Sequence, residues 1–400
     1  MALPLDLISA VIEQAGVREK RRRLLPAAAV MIFTLGCALF AADSYREVAR
    51  KLSPWLGPLA GPGGWTVPGS SALARARRRV GPRPFELLFA ALAGPLAGPS
   101  TPGAATAFGR RLLVMSVDGT TLDVPASPAV IGACGLPPSG NGRASAGGYP
   151  RLRLLTLIGC GTRGLADAVF GPARTRSEQD LARQLAARGT LGPGMLVLAD
   201  RNFCGHPVIE PLAATGTDLL IRATTRYVFP VLEALPDGSA RTVLADPAAA
   251  HRRHKRNHLR RLRGSALPPD PATLSGIDVR LIEADITATR SDGTTRTEHY
   301  RLITTITDHQ QAPAAALAAL YAQRWESETG YRELKTFLHG PRRVLRSRDP
   351  AGGVPPSFRT ADPYRISAGK DGITWQGSTG SSLLSSARKQ HGWLSRHPVL

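Results

Sequence analysis

Three carboxylates are set apart by where they fall in the chain. Asp118 follows Met115-Ser116-Val117 and Asp200 follows Val197-Leu198-Ala199, so each closes an apolar run of the kind that forms a buried strand. Strand ends are where the reactive groups of α/β sheets gather. Each aspartate also has a plain explanation, because Asp118-Gly119 makes a good turn and Asp200 can open a loop through an Asx hydrogen bond. Helical spacing picks out the third, Glu328. On a wheel of about 100° per residue with Tyr321 at zero, Arg324 falls at about 300°, Glu328 at about 340° and Lys335 at about 320°. Those four share one stripe, whereas Glu326 and Glu333 fall on the opposite side, at about 140° and 120°. Taken alone, Arg324 and Glu328 would be an ordinary i,i+4 surface pair.

Three carboxylates brought together by folding would bind Mg²⁺, with Mn²⁺ as a substitute, through hard oxygen ligands. Two such ions can activate a water or a 3′ hydroxyl and stabilise the leaving oxygen of an in-line phosphoryl transfer. Arg324 and Lys335 would clamp phosphates beside the cut, and Tyr321 would add a hydrogen bond.

The elements that must hold these residues follow from pattern. Short apolar runs at Leu112–Val117, Leu152–Ile158 and Met195–Ala199 predict buried strands, with a helix at about Ser177–Arg188 before the last, hence an α/β layer fold. Residues 106–226 form the first part of this core. Residues 227–307 read as a β-rich insertion, with β-favouring runs at Val279–Ile286 and Tyr300–Ile306 and a dense basic burst at His251–Arg263. The core resumes over 308–348, helical from Ala312 to at least Leu338. Residues 1–93 read as an all-helical domain, and 94–105 as a Pro- and Gly-rich linker. Within the helical part, Ser70–Val80 carries four arginines and suits either a helix laid on DNA or a solvated basic face. Pro137–Gly148 is a flexible loop, and 349–400 lacks periodicity and reads as an irregular tail.

Composition narrows the partner. The 400-residue chain carries 51 Lys and Arg against 30 acids, a net charge of +21, which calls for a polyanion and points to nucleic acid. The four cysteines form no C-x-x-C pair, so neither a zinc site nor a disulfide framework is indicated, and a cytoplasmic location fits. Leu24–Ala42 is uncharged from Leu24 onward and follows a basic run, as a signal anchor would. Pro26, Gly36 and the alanines make it a weak spanning segment, so a helix of a soluble bundle is expected and no membrane partner.

The sequence resembles the bacterial transposases of the insertion-sequence-four type. The residues carrying the resemblance are Val117-Asp118-Gly119-Thr120-Thr121-Leu122, Leu198-Ala199-Asp200-Arg201-Asn202-Phe203, and Tyr321-x2-Arg324-x3-Glu328-x6-Lys335, which has the spacing of that family's Y-R-E-K signature. The segment from Arg22 to Leu52 resembles the family's helical N-terminal domain. The resemblance spans roughly residues 10 to 348.

It implies an RNase H-like catalytic core interrupted by the β-rich insertion and preceded by the helical domain. It also implies a pair of Mg²⁺ ions held by Asp118, Asp200 and Glu328, cut-and-paste transposition of double-stranded DNA, and a homodimer joining two element ends in a synaptic complex. Expected DNA contacts are Tyr321, Arg324, Lys335, Arg201 beside the second acid, and Arg77 and Arg78 of the basic helix. Trp325 and Tyr300 are the aromatics suited to stack on a flipped base. After Arg348 the chain departs from the family, whose further apolar helix is replaced by Asp349-Pro350-Ala351-Gly352-Gly353-Val354-Pro355-Pro356. The expectation is a frameshifted or decayed end, and with it an alternative: an inactive remnant that only binds DNA.

Overall fold

The fold was analysed in a computed structural model that describes residues 4–21, 24–59, 65–93, 98–109, 111–137, 148–225, 227, 229–247, 275–289, 295–325, 344, 365–369 and 372–376. Its residues divide into two units, one comprising Met1–Pro95, Leu122–Arg151 and Gly330–Leu400, the other Leu96–Thr121 and Leu152–Thr329. Leu122–Arg151, expected within the catalytic core, thus falls in the first unit. Glu328 and Lys335, the basic burst at His251–Arg263 and most of the 137–148 loop lie outside the described residues.

In the first unit, the described residues from 5 to 93 form helices α1 (Leu5–Gln14), α2 (Ala27–Leu39), α3 (Tyr45–Lys51), α4 (Ser53–Leu56), α5 (Ser70–Val80) and α6 (Arg83–Ala93). The apolar stretch that mimics a signal anchor becomes α2, which is buried along most of its length and forms one core with Ile8, Val48, Leu56, Leu73 and Phe85. Among the described residues no helix is long and apolar enough to cross a membrane. Gly36 is needed there, since a Cβ would sit 2.4 Å from Leu52 Cδ1. Ser44 caps α3 through Glu47 N–H. The tail contributes a two-stranded antiparallel ribbon, Arg365–Gly369 with Gly372–Gln376.

The second unit is built on one large sheet. Its strands are β1 (Thr106–Ala107), β2 (Leu112–Asp123), β3 (Arg151–Gly159), β4 (Leu165–Pro172), β5 (Met195–Ala199), β6 (Asp218–Arg222), β7 (Glu233–Ala234), β8 (Ala240–Ala245), β9 (Gly276–Thr289) and β10 (Thr295–Thr304). They lie in the order β4-β3-β2-β5-β6-β10-β9-β8-β7, with β1 paired to β2. β3 and β4 form an antiparallel pair, while β2, β5 and β6 run parallel. Helix α8 (Glu178–Ala186) links β4 to β5, and α9 (His206–Ala213) links β5 to β6. α7 (Pro128–Cys134) belongs to the first unit. A meander followed by two parallel strands with crossover helices, all in one sheet, fits an RNase H-like core.

The expected insertion is β-rich, and its strands extend the core sheet instead of folding apart. β10 pairs antiparallel with β6 (Ile303↔Ile221), β9 with β10, and β8 with β9.

Strand alternation gives the sheet two faces. Leu113, Met115, Val117, Val197, Ala199, Leu219 and Ile221 point to one, packed against α8 and α9 through Leu181, Leu185, Val208 and Leu212. Val114, Leu196, Leu198, Leu220, Ile282 and Leu302 point to the other, packed against the helix Ala314–Tyr321 through Leu317, Ala318 and Tyr321.

Candidate active site

Parallel pairing of β2 with β5 sets the first two acids side by side. The register runs Leu113↔Met195, Val114↔Leu196, Met115↔Val197 and Ser116↔Leu198. Continued by two residues along each strand, it aligns Asp118 with Asp200, and neighbouring strands place such partners roughly 5 Å apart at Cα. Both acids have the parity of Val114, Leu196 and Leu198, so both project on the face that carries the Ala314–Tyr321 helix. Asp118 does not end its strand or open a turn as its sequence predicted, since β2 runs on to Asp123; Asp200 does open a loop, through an Asx bond. Gly119 N–H donates to Asp118 Oδ1 at 2.7 Å and Asn202 N–H to Asp200 Oδ1 at 2.8 Å. These bonds fix the orientation of each carboxylate without withdrawing it from the face.

The helix on that face delivers the next residues. It ends at Tyr321 and tightens into a 3₁₀ turn, Ala322–Arg324. Three residues per turn bring i and i+3 into line, so Tyr321 and Arg324 leave on the same side, in closer alignment than a regular α-helical wheel gives. Arg324 Nη1 lies 4.0 Å from Asp118 Oδ2, with the two side chains 11% and 16% exposed. The turn is pinned to the strands by Ser116 Oγ, which donates to Arg324 O at 3.3 Å, and by Cys160 Sγ, 3.6 Å from Gln323 O.

Tyr321 sits deep in the layer. It is 3% exposed, and its hydroxyl donates to Ala199 O, 3.1 Å away, the carbonyl just before Asp200. Burial pushes the phenol well above its ordinary range, so it is a neutral donor. So enclosed, the side chain ties the helix to the strand end. The wheel that grouped Tyr321 with Arg324 carries no information about how far a residue sits inside the layer.

The remaining sequence-selected residues separate clearly. Trp325 is 52% exposed, with the Arg324 guanidinium 4.9 Å from its ring centroid. Tyr300 packs in an edge-type contact with Tyr321, with centroids 5.9 Å apart, and Arg222 lies over its ring at 4.0 Å. Arg201 is exposed in the short 3₁₀ turn that follows Asp200. In the other unit, Arg77 is half-buried on α5 and donates to Tyr45, over whose ring it also lies at 5.3 Å. Arg78 is exposed on the same helix.

Sequence reasoning missed a group on the reverse side. Glu178, the first residue of α8, accepts from Arg153 Nη1 at 3.0 Å and from Asn202 Nδ2 at 2.5 Å. A Cβ on Gly119 would lie 2.5 Å from its Cδ. The one available signal was the Ser177-x-x-Asp180 capping box, which fixes where α8 begins.

The donor set suits a divalent cation. Two aspartates held side by side repel, and hard carboxylate oxygens are what Mg²⁺ or Mn²⁺ takes. Among the described residues no group of three or more His, Cys, Asp or Glu side chains gathers as a metal site; Glu328 lies outside them.

Comparison with known proteins is in keeping with the mixed α/β architecture. Residues 110–351 match the transposase DDE domain, and residues 1–90 match the insertion element 4 transposase N-terminal family. The chain belongs to the DDE transposases of the insertion element 4 family. It is similar to the transposase InsG for insertion sequence element IS4 of Escherichia coli (strain K12), with 24% identity over 345 residues, 86% of this chain and 70% of that protein. The DDE domain carries with it the general requirement for a divalent metal.

Proposed function

We propose that this chain is an active cut-and-paste transposase that cleaves DNA at the ends of its element and joins the freed 3′ hydroxyl to target DNA. The observation that carries the reading is the register of β2 on β5, which aligns Asp118 with Asp200 on one face beside Arg324. With Glu328, four residues beyond Arg324 in sequence, these acids would hold two Mg²⁺ ions. Such ions supply a lowered pKa for an attacking water or hydroxyl and charge neutralisation at the departing oxygen.

The protein's own residues account for the rest. Arg324, largely enclosed and poised 4.0 Å from Asp118, supplies a guanidinium to a phosphate entering between them. Lys335, in the family signature, is its expected companion. Trp325 offers an exposed ring for a displaced base, whereas Arg222 lies over the ring of Tyr300, so the stacking role falls to Trp325. Arg201, beside Asp200 in one unit, and Arg78, on α5 of the other, each offer an exposed cation to phosphate. The chain would act as a homodimer holding two ends, on the bacterial nucleoid.

The test is cleavage of a duplex carrying the element's inverted repeats. Activity should need Mg²⁺ or Mn²⁺ and should fall at least about 10³-fold in Asp118→Asn, Asp200→Asn and Glu328→Gln, with DNA binding kept. Salt-sensitive binding with no cleavage by the wild type would instead identify a remnant that only occupies DNA.

A further inference from the structure

We infer that Glu178 is a positioning residue for the acid pair, acting from behind the sheet to hold the strand that carries Asp118 and the turn that follows Asp200 at their working separation. The inference rests on the metal-binding reading of Asp118 and Asp200 and deepens it. Alternation along β2 turns Gly119 to the opposite face from Asp118, toward α8. There the Glu178 carboxylate occupies the place of a Gly119 side chain, 2.5 Å from where its Cβ would be. One oxygen takes Arg153 Nη1 from β3, at 3.0 Å. The other takes Asn202 Nδ2 at 2.5 Å, and Asn202 in turn donates its backbone N–H to Asp200 Oδ1 at 2.8 Å. Gln179 secures Asn202 further, its Nε2 lying 2.8 Å from both the backbone oxygen and Oδ1.

A single carboxylate therefore lies against the strand of the first acid and grips the turn of the second. Side by side, Asp118 and Asp200 repel and would splay when no cation lies between them. The bracket opposes that from the face opposite the two aspartates, and its strength comes from charge-assisted bonds with partly buried partners, the Arg153 and Glu178 side chains being 26% and 18% exposed. Gly119 is part of the device, since any side chain there would evict the carboxylate. Outer partners that orient metal ligands typically change metal affinity by about 10- to 100-fold when removed.

The experiment titrates the full-length protein with Mn²⁺ alone, followed by electron paramagnetic resonance of the free ion, beside thermal melting of each variant. Asp118→Asn tests the underlying reading, and its loss of binding relative to wild type is the expected control. Glu178→Gln, Asn202→Ala and Gly119→Ala should each weaken Mn²⁺ binding about tenfold. Asn202 is exposed, so Asn202→Ala keeps the test open if either of the others folds poorly. It should melt within a degree or two of wild type, which separates positioning from general destabilisation. If wild type binds Mn²⁺, Asp118→Asn does not, and Asn202→Ala and Glu178→Gln both bind within twofold of wild type, the bracket is refuted while the metal site stands. If wild type itself fails to bind Mn²⁺, the metal reading falls and takes the bracket with it.

Discussion

Replacing Tyr321 by phenylalanine separates a strut from a phosphate ligand. The ring is 3% exposed and its hydroxyl donates to Ala199 O at 3.1 Å, so the change keeps the ring packing and deletes one buried bond. The net loss for such a bond, with a carbonyl left short of a donor, is roughly 1–1.5 kcal/mol. For a unit of about 200 residues that corresponds to a fall in Tm of about 2–6 °C. Because Ala199 adjoins Asp200, cleavage should also fall, by about tenfold, while the affinity for element-end DNA and its dependence on salt stay as in wild type. Calorimetry and fluorescence anisotropy with labelled duplex measure the two quantities on the same preparation. An unchanged Tm together with weaker DNA binding would refute the reasoning, because it would mean the phenol meets phosphate and not the strand.

Three other outcomes follow from burial and charge. Arg280 on β9 is fully buried, donates to Ala312 O and lies 3.9 Å from Asp237, so Asp237→Ala should cost about 3 kcal/mol in urea melts by stranding a buried cation. Asp167, 3% exposed on β4, accepts both contacts from Arg188 Nε (2.8 and 3.0 Å) and the Thr190 hydroxyl at 2.6 Å; Asp167→Ala should lower stability by about 2–3 kcal/mol without changing DNA affinity. Bonds from Ser177, with help from Arg183, hold the Asp180 carboxyl down at about 2 from its ordinary 3.8. Its contribution to stability is therefore complete above pH 3.8 and disappears as pH falls through 2, and Ser177→Ala should flatten the acid limb of the pH–stability curve over that window.

The apolar runs at Leu112–Val117, Leu152–Ile158 and Met195–Ala199 were legible as strands because sheets covered on both faces need continuous apolar sequence. β9 and β10 were legible from their β-branched and aromatic residues. β4 and β6 were not: β4 holds the buried Asp167, whose side-chain partners are the distant Arg188 and Thr190, and β6 spans just Asp218–Arg222. The two aspartates could be found because each ends such a run, but their alignment needs the register, which is a tertiary fact. Glu178 was invisible for the same reason. Its meaning depends on which way Gly119 faces, and a glycine gives no sequence signal of what fills the space beside it.

The insertion is tied to the site by more than sheet continuity. Eight residues of helix, Ala314–Tyr321, cover about 12 Å, close to the three interstrand gaps of about 4.8 Å that separate β9 from β5. Its start is held over the insertion, where Arg280 binds Ala312 O and Asp237 accepts Ala314 N–H at 2.9 Å. Its end is held over the core, where Tyr321 meets Ala199 and Ser116 meets Arg324 O. A helix pinned at both ends cannot slide along its axis without breaking one set of bonds. A shift of one turn, about 5.4 Å, would carry Arg324 away from Asp118 by more than their present separation of 4.0 Å. The strands between β6 and this helix thus act as the fixed end of a strut, and the placement of Arg324 depends on how β9 and β10 are registered on β6.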